Sequence, residues 1–287
     1  YVLGSGGKRM RPMLLLLSAR LAGYQGEQHV GLASVVEFIH TATLLHDDVV
    51  DSAVLRRGKD SANSVWGNEA SVLVGDFLFA KSFSIMVREG NLEILKTLSD
   101  ATTQMAEGEV QQLINTCDLD MDEERYLDVV RSKTAILIAA ACRVGAILGD
   151  VSSEKIEALT EFGMQLGIAF QLMDDALDYI ADEAEFGKAQ GHDLEEGKMT
   201  LPLIHTLRLC DEDERNRVAG IIEDEELSDE GLAFVLDLIG RYGGIEHTRQ
   251  RAAERVAEAK KRLQLFERTT ERDALETVAD YAVNRNK

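Results

Sequence analysis

The sequence predicts an all-α protein folded as one domain over residues 1–287, and three observations carry that reading. Its only two prolines, Pro12 and Pro202, leave long stretches free of the residue that breaks helices. Those stretches are rich in Ala, Leu and Glu, and their apolar residues recur at helical spacing. The punctuation of a strand-rich chain, short alternating runs separated by turn residues, is missing. At 45% hydrophobic the chain has ample material for a core, and no Pro/Gly/Ser-rich linker marks a division.

Each helix has its own signal. Pro12 is a favourable first-turn residue for "PMLLLLSARLAGY", which ends near Gly23. Residues 30–53, "VGLASVVEFIHTATLLHDDVVDSA", are apolar at helical spacing until three aspartates interrupt them. Residues 69–87 are so apolar that they read as a central helix. Helical patterns continue over residues 94–114, 123–148 and 153–180. A glycine-rich polar loop follows at 185–200, and the rest is amphipathic helix, ending in the charged stretch 247–266 and a short final helix.

Composition narrows the function. A net charge of −20 argues against a nucleic-acid partner, because a phosphate backbone needs a basic face. A small anionic ligand remains possible if cations are gathered locally. The three cysteines, Cys117, Cys142 and Cys210, lack metal-ligand spacing and read as free thiols in a reducing cytoplasm. No signal peptide is visible, and the longest apolar run, residues 13–24, is too short to span a bilayer. Because the chain opens at Tyr1, not Met, on a glycine-rich turn, a preceding N-terminal segment is expected in the full protein.

The aspartates carry the chemistry. Successive helical residues turn by about 100°, so Asp47 and Asp51 share a face, with Asp48 beside them. Two carboxylates ~5 Å apart repel by roughly 3 kcal/mol at an effective dielectric of 20, which a cation or a proton must offset. One such motif alone reads as a solvated helix end. The motif recurs, however: Asp174, Asp175 and Asp178 repeat the i, i+1, i+4 spacing after another apolar run. Two walls of one oxygen-only site explain that better than coincidence does. Such a donor set suits Mg²⁺, which takes a few carboxylates and fills its shell with waters and phosphate oxygens. No His/Cys cluster competes for a transition metal, and Glu37 to His40 is a lone Glu-x-x-His where a di-iron bundle uses two.

Cations flank the acidic motifs. Arg56 and Arg57 follow Asp51, while Lys8, Arg9 and Arg11 follow Gly6 and Gly7, where backbone can approach an anion. Lys133 lies beside Thr134, and Lys188 and Lys198 occupy the loop after the second aspartate cluster. His40 stands seven residues before Asp47, on nearly the same face. Each alone is more often a surface charge or a structural histidine. Together they suggest one diphosphate held through metals and another held directly by Lys, Arg and His.

These elements resemble the trans-prenyl diphosphate synthases, and the bacterial octaprenyl and other long-chain members most of all. The matching segments are "GGKRMRP", "HDDVVDSAVLRRG", "GDFLFA", "SKTA", "FQLMDDALDY" and "GKAQGHDLEEGKMTLP", in the family's order. The resemblance implies a single bundle of long antiparallel helices around a deep central cavity, the isoprenoid synthase fold, usually as a homodimer. It also implies further helical sequence before "GGKR".

By the same resemblance, Asp47, Asp51 and Asp174 would hold Mg²⁺ on an allylic diphosphate, three ions when diphosphate is bound. Asp48, Asp175 and Asp178 would be weaker ligands or groups behind them. Arg56, Lys133, Thr134, Gln171, Lys188 and Lys198 would contact that diphosphate, and Lys8, Arg11, His40 and Arg57 would hold isopentenyl diphosphate. The basic tail, residues 284–287, would close over the site. The implied reaction lengthens an allylic chain by five carbons, and release of a long product implies peripheral membrane contact.

Chain length is read from one wall of the expected cavity. Thr43 lies one turn before Asp47 and Ala42 precedes it; neither is bulky, whereas short-chain members of the family often place aromatic residues there. Met86 is a candidate floor, though ordinary core packing explains it as well. The expected product is longer than geranylgeranyl diphosphate, with octaprenyl favoured over a C15–C20 product. A class I terpene cyclase would not need the second aspartate cluster or "GGKRMRP", and a non-catalytic subunit would have lost aspartates or cations that are complete here.

Overall fold

The computed structural model describes residues 1–4, 6–56, 58–180, 190–224 and 227–284. Arg57, Lys188 and residues 285–287 of the tail, all named above, lie outside the described residues. In chain order come α1 (Met10–Leu21), α2 (Gln28–Val50), β1 (Leu55–Arg56), β2 (Lys59–Asp60), α3 (Ala62–Trp66), α4 (Asn68–Glu89) and α5 (Leu92–Ile114). Next are α6 (Glu123–Val130), a π turn (Arg131–Ala135), α7 (Ile136–Leu148), α8 (Ser153–Asp178) and α9 (His192–Glu195). The described chain ends with α10 (Leu201–Leu209), α11 (Glu212–Glu223), α12 (Asp229–Tyr242), α13 (Gly244–Arg262) and α14 (Thr270–Asn284). The all-α expectation holds. Contacts group these elements into two compact units, Tyr1–Thr103 with Ile136–Met164 and Lys260–Thr277, and Gln104–Ala135 with Gln165–Ala259 and Val278–Lys287.

In the first unit α1 packs on α2 and α7, and α2 packs on α3, α4 and α7. Leu14 and Leu15 of α1, Leu32, Val35, Val36 and Ile39 of α2, and Leu137 and Ile138 of α7 are fully buried and form the core. Glycine sets the closest approach: a Cβ on Gly145 would lie 2.7 Å from both the Ala19 nitrogen and the Leu15 oxygen. On α2, Ala42 and Leu45 join Ala62 and Leu78 in an apolar cluster.

In the second unit α6 runs straight into the π turn, and α10 packs on α6 and α12. Caps set several helix starts. The Asp122 side chain accepts from the Arg125 N–H before α6, and Asp211 and Glu214 form a reciprocal capping box before α11.

Four expectations need correction. The stretch 185–200, read as a loop, carries the short helix α9, His192–Glu195, too short to show a helical period. Leu55–Arg56 and Lys59–Asp60 pair as two short antiparallel strands, Leu55 opposite Asp60 and Arg56 opposite Lys59, where no strand was expected. A hairpin this short lacks the alternation by which strands are read. Residues 123–148 are not one uninterrupted helix, because the π turn lies inside them. Lastly, α4 is long and apolar enough to cross a membrane by length and composition, so residues 13–24 are not the longest such run. The charges Asp76 and Lys81 had masked it by dividing its apolar sequence.

Candidate active site

The first acidic end lies at the last turns of α2. Asp48 is only 3% exposed, and its carboxylate accepts the Arg56 Nε–H. Burial raises the pKa of Asp48, and the Arg56 guanidinium works against that rise. Arg56 stands on β1, a few residues past the end of α2, and supplies this neutralisation from there. Asn63 fastens the same turn by donating to the Asp48 and Ala53 carbonyls, both at 3.1 Å. Asp47 and Asp51 remain half-buried on the shared face.

In the same unit, the start of α1 meets the middle of α2. The Arg11 guanidinium lies 3.1 Å from His40 Nε2, so these two expected anion-binding residues are brought together. Arg9 is engaged by Glu37, and Lys8 is exposed beside it. Of the chain-length candidates, Ala42 is buried in the cluster above. Thr43 is half-buried and donates its hydroxyl to the His40 carbonyl at 2.9 Å. Met86 on α4 is 1% exposed.

The second acidic end, on α8, repeats the layout. Asp174 is exposed, Asp178 is half-buried, and the middle residue Asp175 is turned inward at 4% exposure. Among the described residues no arginine answers it. Tyr126 donates its hydroxyl to Asp175 Oδ2 at 2.5 Å, and Gln171 donates from Nε2 to Oδ1 at 2.7 Å. Thr134 in turn donates to Gln171 Oε1 at 2.9 Å. Burial pushes the Asp175 pKa well up, and neighbouring carboxylates add to it. Asp178 is held from the loop side, where the Asp193 N–H donates to it at 3.1 Å.

The π turn explains how Lys133 and Thr134 reach this place. An extra residue per turn widens the helix locally and redirects side chains. A Cβ on Gly108 would lie 2.8 Å from the Lys133 backbone nitrogen, so only glycine allows α5 to pass this turn so closely. Lys133 Nζ lies 2.7 Å from Glu109, and Lys198 is engaged by Glu196. Lys133, Thr134, Gln171, Asp175 and Lys198 line one cavity of about 170 Å³, together with Tyr126 and Asp193. The sequence reading had missed those last two. Asp193 lay in a quoted motif but carried no spacing signal, and nothing in "EERYLDVV" separates Tyr126 from core.

Among the described residues no three His, Cys, Asp or Glu side chains gather closely enough to hold a metal by themselves. All the candidate ligands are hard carboxylate oxygens, as Mg²⁺ requires.

Comparison with known proteins places the chain among its relatives. The chain is 46% identical to octaprenyl diphosphate synthase of Escherichia coli (strain K12) over 287 residues, covering 100% of this chain and 88% of that protein. It superposes on a polyprenyl synthase of Caulobacter crescentus CB15, solved with calcium and isoprenyl diphosphate, with TM-score 0.94 and 44% identity over 99% of this chain and 86% of that one. A decaprenyl diphosphate synthase of Rhodobacter capsulatus gives TM-score 0.94 and 46% identity over 99% and 87%. The all-α fold is therefore that of the isoprenoid synthases. Residues 1–239, which carry both acidic helix ends and the loop after them, match the description polyprenyl synthetase. The chain belongs to the polyprenyl synthetase family.

Proposed function

We propose that this chain condenses isopentenyl diphosphate with an allylic prenyl diphosphate, head to tail, and makes a long-chain all-trans polyprenyl diphosphate, octaprenyl diphosphate foremost. The observation that carries the reading is the repeated acidic helix end. In each, the middle aspartate is pinned inward, at Asp48 by Arg56 and at Asp175 by Tyr126 and Gln171, while the first and last stay at least partly exposed. A pair of outward carboxylates backed by a satisfied third is suited to a cation that keeps ligands of its own.

Asp47, Asp51 and Asp174 hold Mg²⁺, three ions when diphosphate is bound, with Asp48, Asp175 and Asp178 behind them. Bound there, Mg²⁺ supplies positive charge that stabilises diphosphate as it leaves. Arg56, Lys133, Thr134, Gln171, Lys188 and Lys198 orient the allylic diphosphate. Lys8, Arg11, His40 and Arg57 hold the diphosphate of isopentenyl diphosphate, for which the Arg11–His40 pair is already assembled.

The allylic C–O bond breaks with its electron pair leaving on diphosphate. The C=C pair of isopentenyl diphosphate then forms the new C–C bond, and the proton lost passes to the departed diphosphate. Ala42 and Thr43 leave room for a growing tail, and Met86 stands as its floor. The free thiols of Cys117, Cys142 and Cys210 support a cytoplasmic setting. On α4, Leu73, Phe77 and Val87 are 62–67% exposed and form an apolar face suited to a second copy of the chain.

The test is incubation with Mg²⁺, farnesyl diphosphate and labelled isopentenyl diphosphate, followed by chromatography of the dephosphorylated products. Products near C40 are expected. A stop at C15 to C20 would overturn the long-chain reading, and cyclic hydrocarbon formed without isopentenyl diphosphate would overturn the reaction itself.

A further inference from the structure

Tyr126 lies five residues, more than one turn of helix, before the π turn begins at Arg131, and no substrate role attaches to it. Its ring is 4% exposed, and its hydroxyl has Asp175 as its hydrogen-bond partner. Burial and the adjoining carboxylate raise the Tyr126 pKa well above the ordinary value, so the group is a permanent O–H donor. Following the protons outward, Tyr126 donates to one oxygen of Asp175, and the other oxygen takes an N–H of Gln171. That contact decides which way the Gln171 amide faces. Its Nε2 must point to Asp175, so its Oε1 is the atom presented to Thr134, whose hydroxyl donates to it. Four side chains from α6, the π turn and α8 thus form one network whose donors converge on Asp175.

The geometry assigns Tyr126 as a positioning residue for the allylic subsite: through Asp175 it fixes the rotamer and the facing of the Gln171 carboxamide. This rests on the reading above, in which Gln171 and Thr134 contact the allylic diphosphate. Without the tyrosine hydroxyl, Asp175 keeps one oxygen unanswered in a buried place. It can then recover a donor only by rotating, which takes Gln171 with it. The effect belongs to the allylic substrate alone, because the Arg11–His40 pair shares no atom with this chain of hydrogen bonds.

The test is a double-mutant cycle on Tyr126→Phe and Gln171→Ala. Wild type, both single variants and the double are assayed with Mg²⁺, varying farnesyl diphosphate and isopentenyl diphosphate separately, with thermal unfolding on the same samples. Tyr126→Phe is expected to lower kcat/KM for farnesyl diphosphate about tenfold, the scale of one hydrogen bond to a charged group. KM for isopentenyl diphosphate should stay within about twofold, inside the scatter of an uncoupled site. In the Gln171→Ala background, Tyr126→Phe should have no further kinetic effect.

Asp175→Asn, which keeps the volume but cannot accept from both donors with the same atoms, should resemble Tyr126→Phe. Multiplying effects in the double variant would overturn the proposal. So would a lowered Tm with unchanged kinetic constants, which is what a purely structural tyrosine would give. If Gln171→Ala behaves as wild type, the Gln171 assignment falls and this proposal with it, while turnover by the wild type leaves the reaction standing.

Discussion

Asp48 and Asp175 occupy the same place in two copies of one motif, yet different chemistry holds each. Arg56 gives Asp48 a full charge, whereas Asp175 receives two neutral donors, Tyr126 and Gln171. A buried carboxylate answered only by neutral donors stays costlier to ionise, and the pKa of Asp175 rises accordingly. Also at this scale lies the chain-length argument. Thr43 is half-buried one turn before Asp47 and carries a small side chain. Thr43→Phe is expected to shift the product distribution from near C40 toward C15–C25 while Mg²⁺-dependent turnover persists, as read by chromatography of labelled products. An unchanged C40 product would remove Thr43 from the wall. The i, i+4 pairs Asp47/Asp51 and Asp174/Asp178 were legible from spacing alone, because a helix maps spacing onto faces. Tyr126 was not: its partner lies 49 residues away, and no local pattern encodes that.

Among the elements, close helix packing rests on glycines that have no Cβ to collide. Gly145→Ala would bring a methyl group to 2.7 Å from backbone atoms of both Leu15 and Ala19, and neither can rotate away. A loss of about 2 kcal/mol is expected, within the range of overpacked cores, read as a lower denaturation midpoint at unchanged m-value. A variant as stable as wild type would mean that α1 and α7 separate more easily than their contact suggests. The long helices were legible, since the apolar period of each is set by its own residues, whereas the hairpin and the short α3 and α9 were not. The π turn was not, because "RSKTA" continues the helical pattern on both sides. What distinguishes it is the neighbour: α5 passes at Gly108, against Ser132 and Lys133.

For the whole molecule, α4 is the telling segment. Its sequence is apolar enough for a central helix, yet 28% of its most apolar stretch is buried. An exposed face with Leu73 at 67% and Phe77 at 62% calls for a cover, and a second copy of the chain is the proposed one. Leu73→Glu combined with Phe77→Glu should convert a dimer to a monomer in size-exclusion chromatography with light scattering. An assembly unchanged by both charges would place the interface elsewhere.

The sequence by itself determined the all-α class, the order of the long helices, the two acidic helix ends and the family. Each of those depends on local periodicity or on motifs contiguous in the chain. Only the tertiary structure decided that the middle aspartates turn inward, that Arg56 on β1 answers Asp48, and that Tyr126 and Gln171 satisfy Asp175. The reason is physical. A carboxylate's burial and the donor that answers it come from residues brought close by packing, and spacing along one helix carries no record of them.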